Sequence, residues 1–304
     1  MPMNMWQEIE QIFNRAFSLS FCKKKLFLVF SVLNLCGILV VLSHMVAVGS
    51  NYWLNNSLVF FPTFICAGIF MALGIPLIRI YHDEVKKKNF TYRSILLSSW
   101  SLMSKISVFV IPFLLAYLLL WIILGFFYLL KEIPGAGELV GVIFSFGPFL
   151  LILGSLVLSA SAVFLLFFMT PMVSLKSVIS LSLVEEFYSR LKKNLFIHFL
   201  LLGVGILPLI IVTGFLILAA TLTGMTYAIT QRTWAIGLEW FFIMIPFVAF
   251  LSPAVVFFFN FAAESFVLMQ KHLHSFGAKS TLSSLKANSE NPSKTSTTAH
   301  TSEV

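Results

Sequence analysis

The stretch KKKLFLVFSVLNLCGILVVLSHMV, residues 23–46, decides the class of fold. Three lysines open it, and from Leu26 to Val48 no Asp, Glu, Lys or Arg follows. A helix needs about twenty apolar residues to cross the hydrocarbon core of a bilayer, so 26–48 reads as a transmembrane span with a cationic anchor at its start. Ala47-Val48-Gly49 is a weak match to a signal-peptidase site, but the apolar run is longer than a secretory h-region and a long patterned segment precedes it. The span is therefore expected to be retained.

Outward from it, five more apolar runs of spanning length lie at about 58–80, 106–130, 139–170, 195–222 and 240–268. The chain of 304 residues is 59% hydrophobic and 11% charged, a balance that a water-soluble domain cannot hide. Several runs exceed a perpendicular crossing, and Pro62, Pro76, Pro112, Pro148, Pro208, Pro246 and Pro253 are expected to kink or tilt them. The reading is an all-α polytopic membrane bundle of six transmembrane helices over 1–275. The tail, 276–304, is rich in Ser, Thr, Asn and Lys and is expected to be disordered and cytoplasmic.

Charge supplies orientation. Of the 20 Lys and Arg residues, all but Lys131 and Arg232 fall in the N-terminus, alternate loops and the tail. Cationic segments are retained on the cytoplasmic side during insertion, which places both termini in the cytoplasm. Tyr52, Trp53, Tyr128, Tyr227, Trp234 and Trp240 then form an outer aromatic belt. The net charge of +8 sits beside spans, where anionic lipid headgroups account for it. No basic soluble domain is left to bind nucleic acid.

An internal repeat subdivides the bundle. The junctions before the first, third and fifth spans read FSLSFCKKKLFLVF from Phe17, WSLMSKISVFVI from Trp100 and FYSRLKKNLFIHF from Phe187, with a spacing of about 85 residues that marks duplicated units. The even spans echo it with FFPTF at Phe60, FGPFL at Phe146 and IPFVA at Ile245. Three two-helix repeats follow. Each is led by an inner amphipathic helix whose apolar face recurs at three- and four-residue steps: Met5, Ile9, Ile12, Ala16 and Phe17; Tyr92, Leu96, Trp100 and Met103; Leu181, Val184, Tyr188, Leu191 and Leu195. Such helices either lie in the headgroup plane or pack under the bundle.

Proton relays, ion-coupled transport and membrane hydrolysis need ionisable groups inside the bundle, and this chain has few. Glu264, one turn after Asn260, falls near the inner headgroups and reads as an interfacial carboxylate beside Lys271. His44 and His198 have no acid or nucleophile at a readable spacing, and His272 and His274 lack a third metal ligand. Gly154, Ser155, Ser159, Ala160, Ser161 and Ala162 form a small-residue stripe suited to close helix contact; no base is placed to activate a hydroxyl there. Cys22, Cys36 and Cys66 have no CxxC spacing, so neither a disulfide framework nor a metal site follows. Asn55-Asn56-Ser57 is a sequon placed too near a span to accept a glycan readily. Glu185-Glu186 followed by Ile206-Leu207-Pro208 departs from the coupling loop of importer permeases, which keeps its Leu-Pro outside the span. No catalytic, cofactor-binding or metal-ligating residue is assigned.

The threefold layout at Phe17, Trp100 and Phe187 resembles a broad superfamily of six-span bacterial membrane proteins that includes YciC-like proteins and the membrane domain found ahead of glycerophosphoryl diester phosphodiesterases. The resemblance covers roughly residues 5–275 and lies in layout. It implies a bacterial inner-membrane location and no catalytic residue. The expected function is non-enzymatic, organising lipid or membrane-protein partners, with the basic junctions on anionic headgroups and a membrane protein or second copy as partner. The alternative is a transporter of a neutral or amphiphilic small molecule, which requires a polar cavity lined by Asn34, Asn260 and Ser or Thr residues.

Overall fold

The computed structural model describes residues 5–47, 52–87, 91–106, 110–131, 133, 142, 146–176, 195–223 and 233–289. Among them the architecture is all-α. The helices are α1 (Met5–Ser18), α2 (Lys23–Ala47), α3 (Tyr52–Val85), α4 (Tyr92–Ile106), α5 (Ile111–Lys131), α6 (Phe146–Lys176), α7 (Leu195–Leu222) and α8 (Thr233–Ser289), with a 3₁₀ turn at Leu19–Phe21 between the first two. Five are long and apolar enough to cross a membrane, through Lys23–Ala47, Phe60–Val85, Phe149–Leu175, Phe196–Leu222 and Gly237–Lys271; α5 contributes a shorter apolar stretch, Ile111–Phe127. The chain is an integral, multi-pass membrane protein.

The proline expectation divides. Pro62, Pro76, Pro208, Pro246 and Pro253, together with Pro171, lie inside continuous helices, as packed membrane helices allow. Pro112 and Pro148 instead stand in the first turns of α5 and α6, where a missing N–H costs nothing. They start helices and bend none. Helix α8 continues past Gly277, so 276–289, assigned from the sequence to a disordered tail, is helical in its backbone; 290–304 lies outside the described residues. So do 177–194, which hold the third expected amphipathic helix and the Glu185-Glu186 pair.

Helices α3, α6 and α8 pack against one another, and the remaining helices pack on them. Helix α2 lies against α3 and α8, α5 against α3 and α6, and α7 against α8, with Phe199 and His198 of α7 also meeting Phe164 and Phe168 of α6. The two described amphipathic helices pack under the bundle, α1 on α8 and α4 on α3. Helix α1 buries Ile9, Ile12 and Ala16 as its period requires. Helix α4 is rotated from the expected face: it buries Ile95, Ser99, Leu102 and Ile106, while Trp100 is 71% exposed. A Trp at the headgroup boundary is stable with its ring outward, and Ser99 is drawn inward by Arg79.

The bundle has two unequal halves. At the end that carries Arg15, Lys25, Arg79 and Lys271, here called the basic end, Leu73–Ile78 of α3, Phe167–Ser174 of α6 and Ala254–Phe266 of α8 are buried on every face. Aromatic rings fill this plug: Phe257 meets Phe13 of α1 at 5.0 Å, and Phe167 meets Phe258 at 5.4 Å, both edge-on. Small residues set the approach. A Cβ added at Gly74 would overlap Phe259 and the methyl of Thr170, and one at Gly205 would crowd Phe167 and Phe261. Toward the far end, where His44 and Trp240 rings meet at 4.5 Å, α6 and α8 expose Phe149, Leu153, Leu156, Phe242 and Phe250.

Candidate functional site

Two groupings stand out, a polar network at the basic end and an apolar slot in the far half. The network is built where α1, the 3₁₀ turn and the start of α2 cross the ends of α3 and α8. Glu264, buried in α8, accepts hydrogen bonds from the Tyr81 hydroxyl at 2.8 Å and the Arg15 guanidinium at 3.2 Å. Glu264 was expected to lie at the interface beside Lys271; it is buried, and the Lys271 ammonium meets Glu8 of α1 at 3.0 Å. Both ion pairs tie α1 to α8. Chain separation hides them: Arg15 and Glu264 lie at opposite ends of the sequence.

Lys25 is a second departure. Two of the three junction lysines, Lys23 and Lys24, are exposed, but Lys25 is fully buried, paired with Glu84 of α3, donating to the Leu19 carbonyl at 3.2 Å and lying 5.4 Å from the centre of the Tyr81 ring. It faces protein and not headgroups. Glu84 also accepts from Tyr92 of α4 at 3.3 Å, and Lys24 lies 4.7 Å from the centre of the Tyr92 ring. Burial, then the contacts with Cys22 and Glu84, hold the Tyr92 phenol above its ordinary pKa. Arg79 links α3 to α6 and α4 by donating to the Ser174 carbonyl at 3.3 Å and the Ser99 hydroxyl at 3.3 Å.

Asn260, fully buried, donates to the Ser20 hydroxyl at 3.2 Å and the Ala16 carbonyl at 3.4 Å. Its carbonyl oxygen, with the hydroxyls of Thr170 and Ser265, is buried with no hydrogen-bond partner among the described residues. Asn34 donates to its own helix at the Phe30 carbonyl, 2.9 Å away. Neither asparagine lines the apolar slot described next.

The far half holds a part-open cavity of about 510 Å³ between α2, α3, α6 and α8. Its wall runs from Trp240 down α8 to Leu251, with Leu33, Cys36, Phe70, Ala162, Leu166 and Phe247 among the lining side chains. Two of the polar wall groups are already engaged: Ser159 donates to the Ser155 carbonyl at 2.9 Å, and the Cys66 thiol points at the Cys36 carbonyl at 3.9 Å. Ser155 and Ser161 likewise bond one turn back along α6, and Gly154 faces Leu120 of α5. The small-residue stripe divides: Gly154 and the buried Ser155 pack toward α5, whereas Ser159 and Ala162 line the slot and Ala160 is exposed. His198 is buried against Phe168 and His44 lies on Trp240. The side chains of His272 and His274 lie outside the described residues, and no group of three metal-binding side chains occurs among those described.

Comparison of the chain with protein-family models, with curated proteins and with solved structures gives no match. The two groupings are therefore read from their own chemistry. The network is a brace, because its charges are directed at one another across helices. The slot offers surface to a ligand and nearly all of that surface is apolar.

Proposed function

We propose that this chain is a non-enzymatic membrane protein that organises lipid or membrane-protein partners. One observation carries the reading: charged side chains at the basic end are tied into ion pairs that brace helices, while the large cavity in the far half presents hydrocarbon. A polar-solute route or a proton relay needs ionisable or hydrogen-bonding groups facing a midplane cavity, and Asn34 and Asn260 do not face this one.

The same reading takes α2, α3, α5, α6, α7 and α8 as six spans in three repeats, each led by an amphipathic helix. The packing supports it, because α2 and α5 each lie between the second span of their own unit and that of another, and α1 and α4 each lie beneath another unit's second span. Orientation follows the basic end, with both termini cytoplasmic and Lys23 and Lys24 at anionic headgroups. On the superfamily resemblance we propose a bacterial inner-membrane location.

Native mass spectrometry of the protein released from mild detergent tests this. Retained lipid or a stoichiometric protein partner supports it; a bare chain that accumulates a soluble substrate in vesicles contradicts it. A transporter of a neutral or amphiphilic molecule is the second reading. The unpartnered oxygens of Asn260, Thr170 and Ser265 favour it, since they would line a path if the plug parted.

A further inference from the structure

The slot has the dimensions of one leaflet. Trp240 to Leu251 spans about 16 Å at 1.5 Å per helical residue, roughly half of the ~30 Å hydrocarbon core. Trp240 marks its outer end beside His44, where an aromatic belt meets headgroups. Its deepest lining residues, Leu33, Phe70, Leu166 and Leu251, stand directly above the plug of Ala254–Phe266, which closes the floor.

The chemistry of the wall restricts the occupant. A polar ligand would leave its own groups unpaired against hydrocarbon, which disfavours its binding. Spread over its length, about 510 Å³ makes a slot narrower than the 10–12 Å of a helix with its side chains. Val40, Thr63 and Val163 are lining residues that are also exposed, so the slot is continuous with the surface that the bilayer bathes.

We propose that this slot binds an acyl chain of a phospholipid from the far leaflet, with the headgroup at Trp240 and the chain end stopped by Leu251. The inference rests on the lipid-organising reading and gives it a site. The floor acts as a ruler: chains that fill one leaflet depth fit, and longer ones must fold back.

The test reconstitutes the full chain into phosphatidylethanolamine–phosphatidylglycerol vesicles doped with a phospholipid carrying a mid-chain diazirine, and maps adducts after illumination. Adducts are expected at Ile243, Phe247 and Leu33, to fall at least fivefold in Ala162→Phe, and to persist in Val157→Phe, which changes an exposed position on the same helix. Ala67→Phe on the opposite wall replaces Ala162→Phe if that variant does not fold. Adducts confined to exposed residues such as Ile210 and Phe215 would overturn the proposal, as would slot labelling abolished by free palmitate but not by excess unlabelled phospholipid. Slot labelling without lipid retained in native mass spectrometry leaves the site standing and removes the organising function. Retained lipid with an unlabelled slot does the reverse.

Discussion

The two halves of α8 make an instructive pair. Residues 240–251, WFFIMIPFVAFL, are purely apolar and partly open to the exterior and the slot; residues 254–266, AVVFFFNFAAESF, contain Asn, Ser and Glu and are buried on every face. The more polar half is the more deeply packed. In water the order would be reversed, but lipid tails are as apolar as leucine and burial alone drives no association between spans. Close approach at small residues and hydrogen bonds across helices decide the packing, and 254–266 has both, through Ala262 and Ala263, Asn260 and Glu264. In the far half α2 and α8 approach closely at Gly37 against Met244 and at Gly237 against Met45, but its polar side chains bond along their own helices and the four helices part around the slot.

Breaking the tight half by volume should have the largest effect. Gly74→Leu drives a side chain into Phe259 and Thr170, and we expect a loss of at least ~3 kcal/mol or failure to fold, read as thermal stability in detergent. Gly203→Leu and Gly214→Leu on α7, where no atom lies within 4 Å of the added Cβ, should leave stability unchanged. Next is the buried charge: Lys25→Met strands Glu84 and should cost about 3 kcal/mol, with Lys25→Met/Glu84→Gln recovering most of it in a double-mutant cycle. Tyr81→Phe removes one hydrogen bond to Glu264 and should cost about 1–2 kcal/mol. Ala162→Phe in the slot should change stability by less than ~1 kcal/mol. An equal loss from the plug and slot variants would erase the distinction between the halves.

The sequence made some of this legible and concealed the rest for physical reasons. Five long apolar helices were readable because the bilayer fixes their length, and the α1 face because Ile9, Ile12 and Ala16 keep a helical period. Ser155 announced packing through its size, while Ser159, read the same way, lines the slot. The burial of Lys25 was not readable, since it depends on Glu84 arriving from another helix, and neither was the Arg15–Glu264 pair. The rotation of α4 escaped because apolar residues stand on both faces, Ile95 and Leu102 on one and Leu96 and Trp100 on the other, and Arg79, which draws Ser99 inward, comes from another helix. The slot had no signal at all: its lining residues are those of an ordinary span.

A tryptophan scan of α8 from Phe241 to Phe266, read as folded yield, tests the split most directly. The account predicts tolerance at Ile243, Phe247 and Leu251 and at the exposed positions between them, then intolerance at every position from Ala254 to Phe266. Tolerance that recurs every three to four residues through 254–266 would mean that this segment has a lipid-facing side, and the account would be wrong.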